Sequence, residues 1–147
     1  MTSFEVTYKL GQETDLSTVG GRLKLARLNK ELTIKELAKM VNISETTLGR
    51  WEKNQGDIEN HPVKIKNICN ILEVSPKYIF DELDSDSFAV TLKRSRFKMG
   101  LSRRELASLL GVDRGTVKEW EDGSKPRKYT ELEIFDLISK IKTDVIE

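Results

Sequence analysis

One pattern occurs twice in this chain of 147 residues, at a constant offset of sixty-nine positions, and nothing else in the sequence constrains the fold as strongly. Leu32, Thr33, Glu36, Leu37, Ala38, Ile43, Thr47, Leu48, Trp51 and Glu52 keep an ungapped register with Leu101, Ser102, Glu105, Leu106, Ala107, Val112, Thr116, Val117, Trp120 and Glu121. Each copy reads as two short helices meeting at a sharp corner. This length with an internal repeat implies two very small units rather than one ordinary domain, each with its own core. With 37% of residues hydrophobic and the aliphatic residues at helical spacing, each half can supply a bundle of about four or five short helices.

The helices follow from periodicity and caps. Leu23, Ala26 and Leu28 predict a first helix over residues 19 to 29, with Arg22, Lys24, Arg27 and Lys30 on its polar side. Thr33 and Glu36 form a capping box for a second helix, and Ser44 caps a third that runs to about residue 53 and buries Leu48 and Trp51. Pro62 opens a fourth helix carrying Ile65, Ile68, Cys69 and Leu72, and residues 74 to 80 read as a turn into one more short helix.

The second unit repeats the plan. Phe88, Leu92 and Phe97 mark its first helix, and Ser102 with Glu105 caps the next, whose Leu106, Leu109 and Leu110 are expected to face inward. Gly111 marks the corner and Asp113 caps the following helix. Leu132, Phe135, Ile138 and Ile141 predict a last helix over residues 130 to 142, with Leu137 widening its apolar stripe, which reads either as plain core or as core plus a contact surface for the first unit or a second copy.

The expected organisation is an arm over residues 1–15, a first unit over 16–82, an acidic linker over 83–87 and a second unit over 88–147. The alternation of Phe4, Val6, Tyr8 and Leu10 suits a short strand or an extended arm. A seven-residue stretch from Asp81 to Ser87 spans at most about 23 Å, which keeps the two units close.

The net charge of +1 conceals an uneven distribution. Residues 20–50 carry seven Lys or Arg against three Glu, and residues 93–128 carry eleven against five acids, while Asp81, Glu82, Asp84 and Asp86 lie between the repeats. No apolar run has the length of a membrane span, and the first residues lack the pattern of a secretion signal, so a cytoplasmic chain is expected. Cys69 reads as a buried filler, and His61 before Pro62 as part of a helix start. Without metal-spaced Cys and His or a phosphate-cradling glycine loop, no enzymatic chemistry, metal or cofactor is expected.

The stretches 33–52 and 102–121, with a hydroxyl cap, Glu-Leu-Ala, a corner, a second cap and a closing Trp-Glu, resemble the Cro/C1-type helix-turn-helix domain of the XRE family. The first unit is similar to the family over nearly its whole length, including Val74, Ser75, Pro76 and Tyr78. The second is similar through Glu121 and then diverges into one long helix. The resemblance implies an all-α fold of two small lambda-repressor-like bundles in tandem and a double-stranded DNA partner. Most relatives carry one such domain and pair two chains, a pattern from which this tandem departs.

Carried over by position, the resemblance places base contacts on Glu45, Thr46 and Arg50 and on Arg114, Gly115 and Glu119. Arg50 and Arg114 suit guanine, because a guanidinium fork matches its two major-groove acceptors. Glu45 and Glu119 suit cytosine, or tune specificity by repelling phosphate where the fit is wrong. Phosphate contacts fall on Thr33, Thr47, Arg103, Arg104, Thr116, Lys118, Lys125, Arg127 and Lys128. Where the family often has glutamine at the start of the second helix, the first unit has Ile34 and the second Arg103. Ile34 cannot donate a hydrogen bond, so weak DNA binding by the first unit, or a surface turned to a protein, is expected. The tryptophans read as core rather than as stacking platforms.

The function expected is a sequence-specific transcriptional regulator, a repressor that reads the major groove with the helices over 44–53 and 113–121. The alternative is a protein-interaction module on the same scaffold, such as an antitoxin, an antirepressor or an inhibitor. A homodimer through the last helix and a protein or peptide regulator are the other partners considered.

Overall fold

The structure, a computed structural model, describes residues 14–83 and 85–146, and no strand occurs among them. The all-α expectation is met. The arm's strand over residues 4–10 and the linker's Asp84 lie outside the described residues. Helices α1 (Val19–Asn29), α2 (Ile34–Val41), α3 (Glu45–Glu52), α4 (Pro62–Leu72) and α5 (Pro76–Ile79) form the first unit, with 3-10 turns at Ile58–Asn60 and Asp81–Leu83. Helices α6 (Phe88–Met99), α7 (Arg103–Leu110), α8 (Arg114–Glu121) and α9 (Glu131–Ile146) follow.

Local chemistry places the corners. Thr33 Oγ1 accepts from the Glu36 amide at 3.1 Å while the Thr33 amide donates to Glu36 Oε1 at 3.2 Å, and Ser102 with Glu105 repeats both bonds at 3.1 and 3.0 Å. Ser44 Oγ accepts from Thr47 N, and Asp113 Oδ2 from Gly115 N, each at 3.0 Å. Between the helices of each corner the chain enters the left-handed region, at Asn42 (φ 58°) and at Gly111 (φ 69°).

Two further left-handed positions repeat at the offset of sixty-nine. Glu31 (57°) matches Gly100 (69°), and Asn54 (61°) matches Gly123 (109°). The second unit thus has glycine at all three, whereas the first has Glu, Asn and Asn. Glu gains nothing there that Asn or Gly supplies, and left-handed geometry costs an L-residue about 1–2 kcal/mol. Glu31→Gly is therefore expected to stabilise the first unit by up to about 1 kcal/mol once glycine's greater unfolded-chain entropy is deducted. Urea denaturation followed by circular dichroism tests this, and an unchanged or lower midpoint would refute it.

Two apolar clusters form. The first joins Leu23, Leu37, Leu48, Trp51, Ile65 and Ile68 with Ile79, Phe80 and Leu83, and the second joins Leu92, Leu106, Leu110, Val117 and Trp120 with Ile134 and Ile138. Both tryptophans are core, and so is Cys69, whose burial pushes its thiol up to about 12. The clusters are not separated by a bare tether. Phe97 of α6 belongs to the first cluster and lies 5.2 Å from Phe80 between ring centres. Arg94 Nη1 donates to the Leu83 carbonyl at 2.8 Å, and Lys93 pairs with Glu82 at 2.7 Å. Leu83, at the start of the expected linker, is fully buried in the first cluster.

Four expectations about facing are corrected. Arg22 and Arg27 are buried rather than on a polar face, because each finds internal acceptors; Arg22 donates to the Ile79 and Leu16 carbonyls, both at 2.9 Å. Leu109 is half exposed, since Leu106, Ala107 and Leu110 fill the inner stripe of α7 and leave it at the edge. Leu132 is 81% exposed because the buried stripe of α9 runs through Ile134 and Ile138, nearly opposite it on the helix.

Candidate nucleic-acid interface

Each exposed helix α3 and α8 is held from behind by a buried ion pair. Arg27 donates to Glu52 from Nε at 2.6 Å and from Nη2 at 2.9 Å, and its Nη1 reaches the Leu32 carbonyl at 2.7 Å. Arg96 repeats this with Glu121 at 2.7 and 3.0 Å and with the Leu101 carbonyl at 3.0 Å. A guanidinium fork on a carboxylate fixes both orientation and distance. The last turn of each exposed helix is thereby locked to the helix that opens its unit. Sequence reasoning missed both arginines, although Arg27 and Arg96 keep the same offset as Glu52 and Glu121, and that register was the available signal.

In the first unit Glu45, Thr46 and Arg50 are exposed on α3, with Thr33 exposed at the start of α2. Thr47 is half-buried, and its hydroxyl lies 2.8 Å from Ser44 Oγ. Ile34 packs against the first cluster, which accounts for an apolar residue at that place. In the second unit Arg114, Lys118 and Glu119 are exposed on α8, while Gly115 and Thr116 are half-buried. Arg104, Lys125, Arg127 and Lys128 are also exposed, the last with its Nζ 5.6 Å from the Tyr129 ring centre. Lys118 pairs with Asp122 at 2.7 Å, and that hydrogen bond holds the Asp122 carboxyl below its usual range. Arg103 is held inward, its Nε 3.1 Å from Glu121 Oε1. No described residue forms an ion pair or side-chain hydrogen bond with Arg50, Arg104 or Arg114.

The second corner opens onto a groove of about 410 Å³. Its far wall belongs to the first unit, at Glu59, Asn60 and Pro62. The near wall carries Arg103, Arg104, Arg114 and Lys118. Glu59 lies 3.7 Å from Lys93, and its carboxyl is held above the usual range chiefly by burial, against the charge of that lysine. The groove is therefore strongly cationic on one side with a single carboxylate opposite. Such concave walls focus the field toward an anion.

Among the described residues no cluster of His, Cys, Asp or Glu can hold a metal ion, and His61 is paired with Asp57 at 3.3 Å. No described helix is long and apolar enough to cross a membrane. Comparison with curated proteins found no match, and neither did comparison with solved structures. Residues 23–79 match the family model described as Helix-turn-helix, a span running from within α1 to the end of α5. With the α2–α3 corner already evident in its capping and left-handed turn, this segment is similar to helix-turn-helix domains in both sequence and local geometry.

Proposed function

We propose that the chain is a sequence-specific regulator of transcription, a repressor that covers duplex DNA with two helix-turn-helix units, 16–82 and 88–147, joined through 83–87. The helix-turn-helix family is one of DNA-binding regulatory domains rather than of enzymes. The observation that carries the reading is the pairing of an exposed arginine with a rigid mount. Arg50 and Arg114 stand on helices locked by the Arg27–Glu52 and Arg96–Glu121 forks, and neither has a partner among the described residues. In this reading Arg50 and Arg114 contact guanine, with Glu45, Thr46, Gly115 and Glu119 beside them at base edges. Thr33, Thr47, Arg103, Arg104, Thr116, Lys118, Lys125, Arg127 and Lys128 serve the phosphates. Unequal reader residues give unequal half-sites, and packing between the units gives those half-sites a fixed spacing.

Selection of bound sequences from a random duplex library with the intact chain tests this. A reproducible site with two unlike halves is expected, and no enrichment by a folded protein would refute it. Arg114→Ala should cost about 1–3 kcal/mol of binding and relax the preference at one base position, as read by fluorescence anisotropy on the selected duplex. Uniform weakening across all sequences would move Arg114 from base to phosphate.

A second reading, a protein-interaction surface, draws on Met40 and Leu109, which occupy equivalent places in the two units and are 54% and 50% exposed. Retained biological activity in Arg114→Ala would favour it. Leu132 on α9 offers a contact for a second copy of the chain.

A further inference from the structure

The groove between the units gives the two halves a shared task. We propose that it seats a phosphodiester of the duplex bound by the second corner, so that the first unit's Glu59 and Asn60 belong to the second unit's DNA contact and Glu59 restrains its affinity. This inference rests on the DNA-binding reading and names where one strand passes.

Size decides what enters. A cavity of about 410 Å³ lies at the small end of those that hold one small ligand, whereas the major groove of a duplex is itself about 12 Å wide. One phosphate with its sugars fits the space and a whole duplex does not. Charge decides the sign. Arg104 has no partner among the described residues, and Arg103 keeps guanidinium N–H groups beyond the Nε that it spends on Glu121. Two of the helix amides at this corner, Gly115 and Glu105 N–H, are already taken by the Asp113 and Ser102 side chains. The guanidinium groups of Arg103 and Arg104 supply the charge.

Position decides the source of the phosphate. The groove runs up to Arg114 and Gly115 at the start of the exposed helix α8, and a helix entering the major groove has strand phosphates on its flanks. The far wall is set by packing of α6 against the first unit through Phe97, Arg94 and Lys93. Glu59 then faces the incoming phosphate with a like charge. Its neighbour Lys93 keeps Glu82 at 2.7 Å if Glu59 is neutralised, so the change stays local.

The experiment uses the intact chain, the duplex recovered by selection, and the variants Glu59→Gln and Arg104→Ala, with circular dichroism confirming the fold of each. Glu59→Gln is expected to tighten binding about fivefold at low salt, with the gain shrinking as salt rises and the base preference unchanged. Arg104→Ala is expected to weaken binding and lower the salt slope by about 1. Inorganic phosphate and a mononucleotide, titrated into the wild-type chain, are expected to compete only at millimolar concentration. Wild-type binding with Glu59→Gln within twofold of it would overturn the proposal and leave the DNA-binding reading standing. A changed base preference in Glu59→Gln, or micromolar binding of a mononucleotide, would also overturn it, in favour of a base contact or a small effector. If the chain selects no duplex, both readings fall together.

Discussion

Arg27→Ala is expected to remove about 3–5 kcal/mol from the first unit, because it leaves the Glu52 carboxylate buried without its only charged partner among the described residues. Domains of ordinary stability hold only about 5–15 kcal/mol, so the first unit should be largely unfolded or close to it. The equivalent Arg96→Ala is expected to cost less. Glu121 keeps Arg103 at 3.1 Å, whereas Ile34 stands at the matching place in the first unit and offers Glu52 nothing. Urea denaturation of both variants by tryptophan fluorescence tests the difference, with Trp51 and Trp120 buried one in each unit. Equal losses, or a loss below about 1 kcal/mol for Arg27→Ala, would show that the fork does not hold the unit together. Replacing both partners, as in Arg27→Met with Glu52→Leu, should restore much of the stability, since well-packed apolar groups often replace a buried pair without loss. Such a variant would separate stability from helix placement. If the fork serves to aim α3, the double variant folds but binds DNA more weakly.

Much of this fold was legible in the sequence where a local rule acts alone. Thr33 with Glu36, Ser102 with Glu105, and Pro62 each marked a helix start within a residue of the observed one, because capping depends on neighbours in the chain. What was not legible depends on partners far along the chain. Arg27 has the spacing of a surface residue, and only the return of Glu52, twenty-five residues later, makes it an interior one. Leu109 and Leu132 have the composition of core residues, yet a stripe has room for only so many, and their neighbours occupy it. Phe97 falls in the second unit by position but packs into the first cluster. Of the residues proposed to touch DNA, Glu45, Thr46, Arg50, Arg104, Arg114, Lys118 and Glu119 are exposed, while Thr47, Gly115 and Thr116 are half-buried. Arg103 faces two ways, toward Glu121 and toward the groove. The wall contributed by Glu59 and Asn60 was beyond sequence reasoning, because it arises from how one unit packs on the other.

Gly20→Ala carries the second large effect, and it bears on the same mount as the Arg27 fork. A Cβ at position 20 would lie 2.4 Å from the Glu52 carbonyl oxygen and 2.6 Å from that of Trp51, closer than real Cβ atoms come. Both obstacles are backbone at the end of α3, so no side chain can turn aside, and α1 must move away from α3. The movement would also stretch the bond from the Gly20 amide to Asn54 Oδ1, now 2.7 Å, and disturb the Glu52 fork in the same turn. Overpacking against side chains typically costs about 1–3 kcal/mol, and obstruction by backbone places this variant at or above the upper end. Gly49→Ala supplies the opposite case in the same helix pair. Nothing lies within 4 Å of a Cβ there, Gly49 is half-buried, and a glycine inside a helix gives up about 1 kcal/mol relative to alanine, so this change should stabilise the unit by about that amount. Thermal unfolding of the two variants side by side decides the matter. A Gly20→Ala protein as stable as the wild type would mean that α1 and α3 sit farther apart than the structure has them, and the close mount of α3 on α1 would have to be abandoned as the basis of its rigidity.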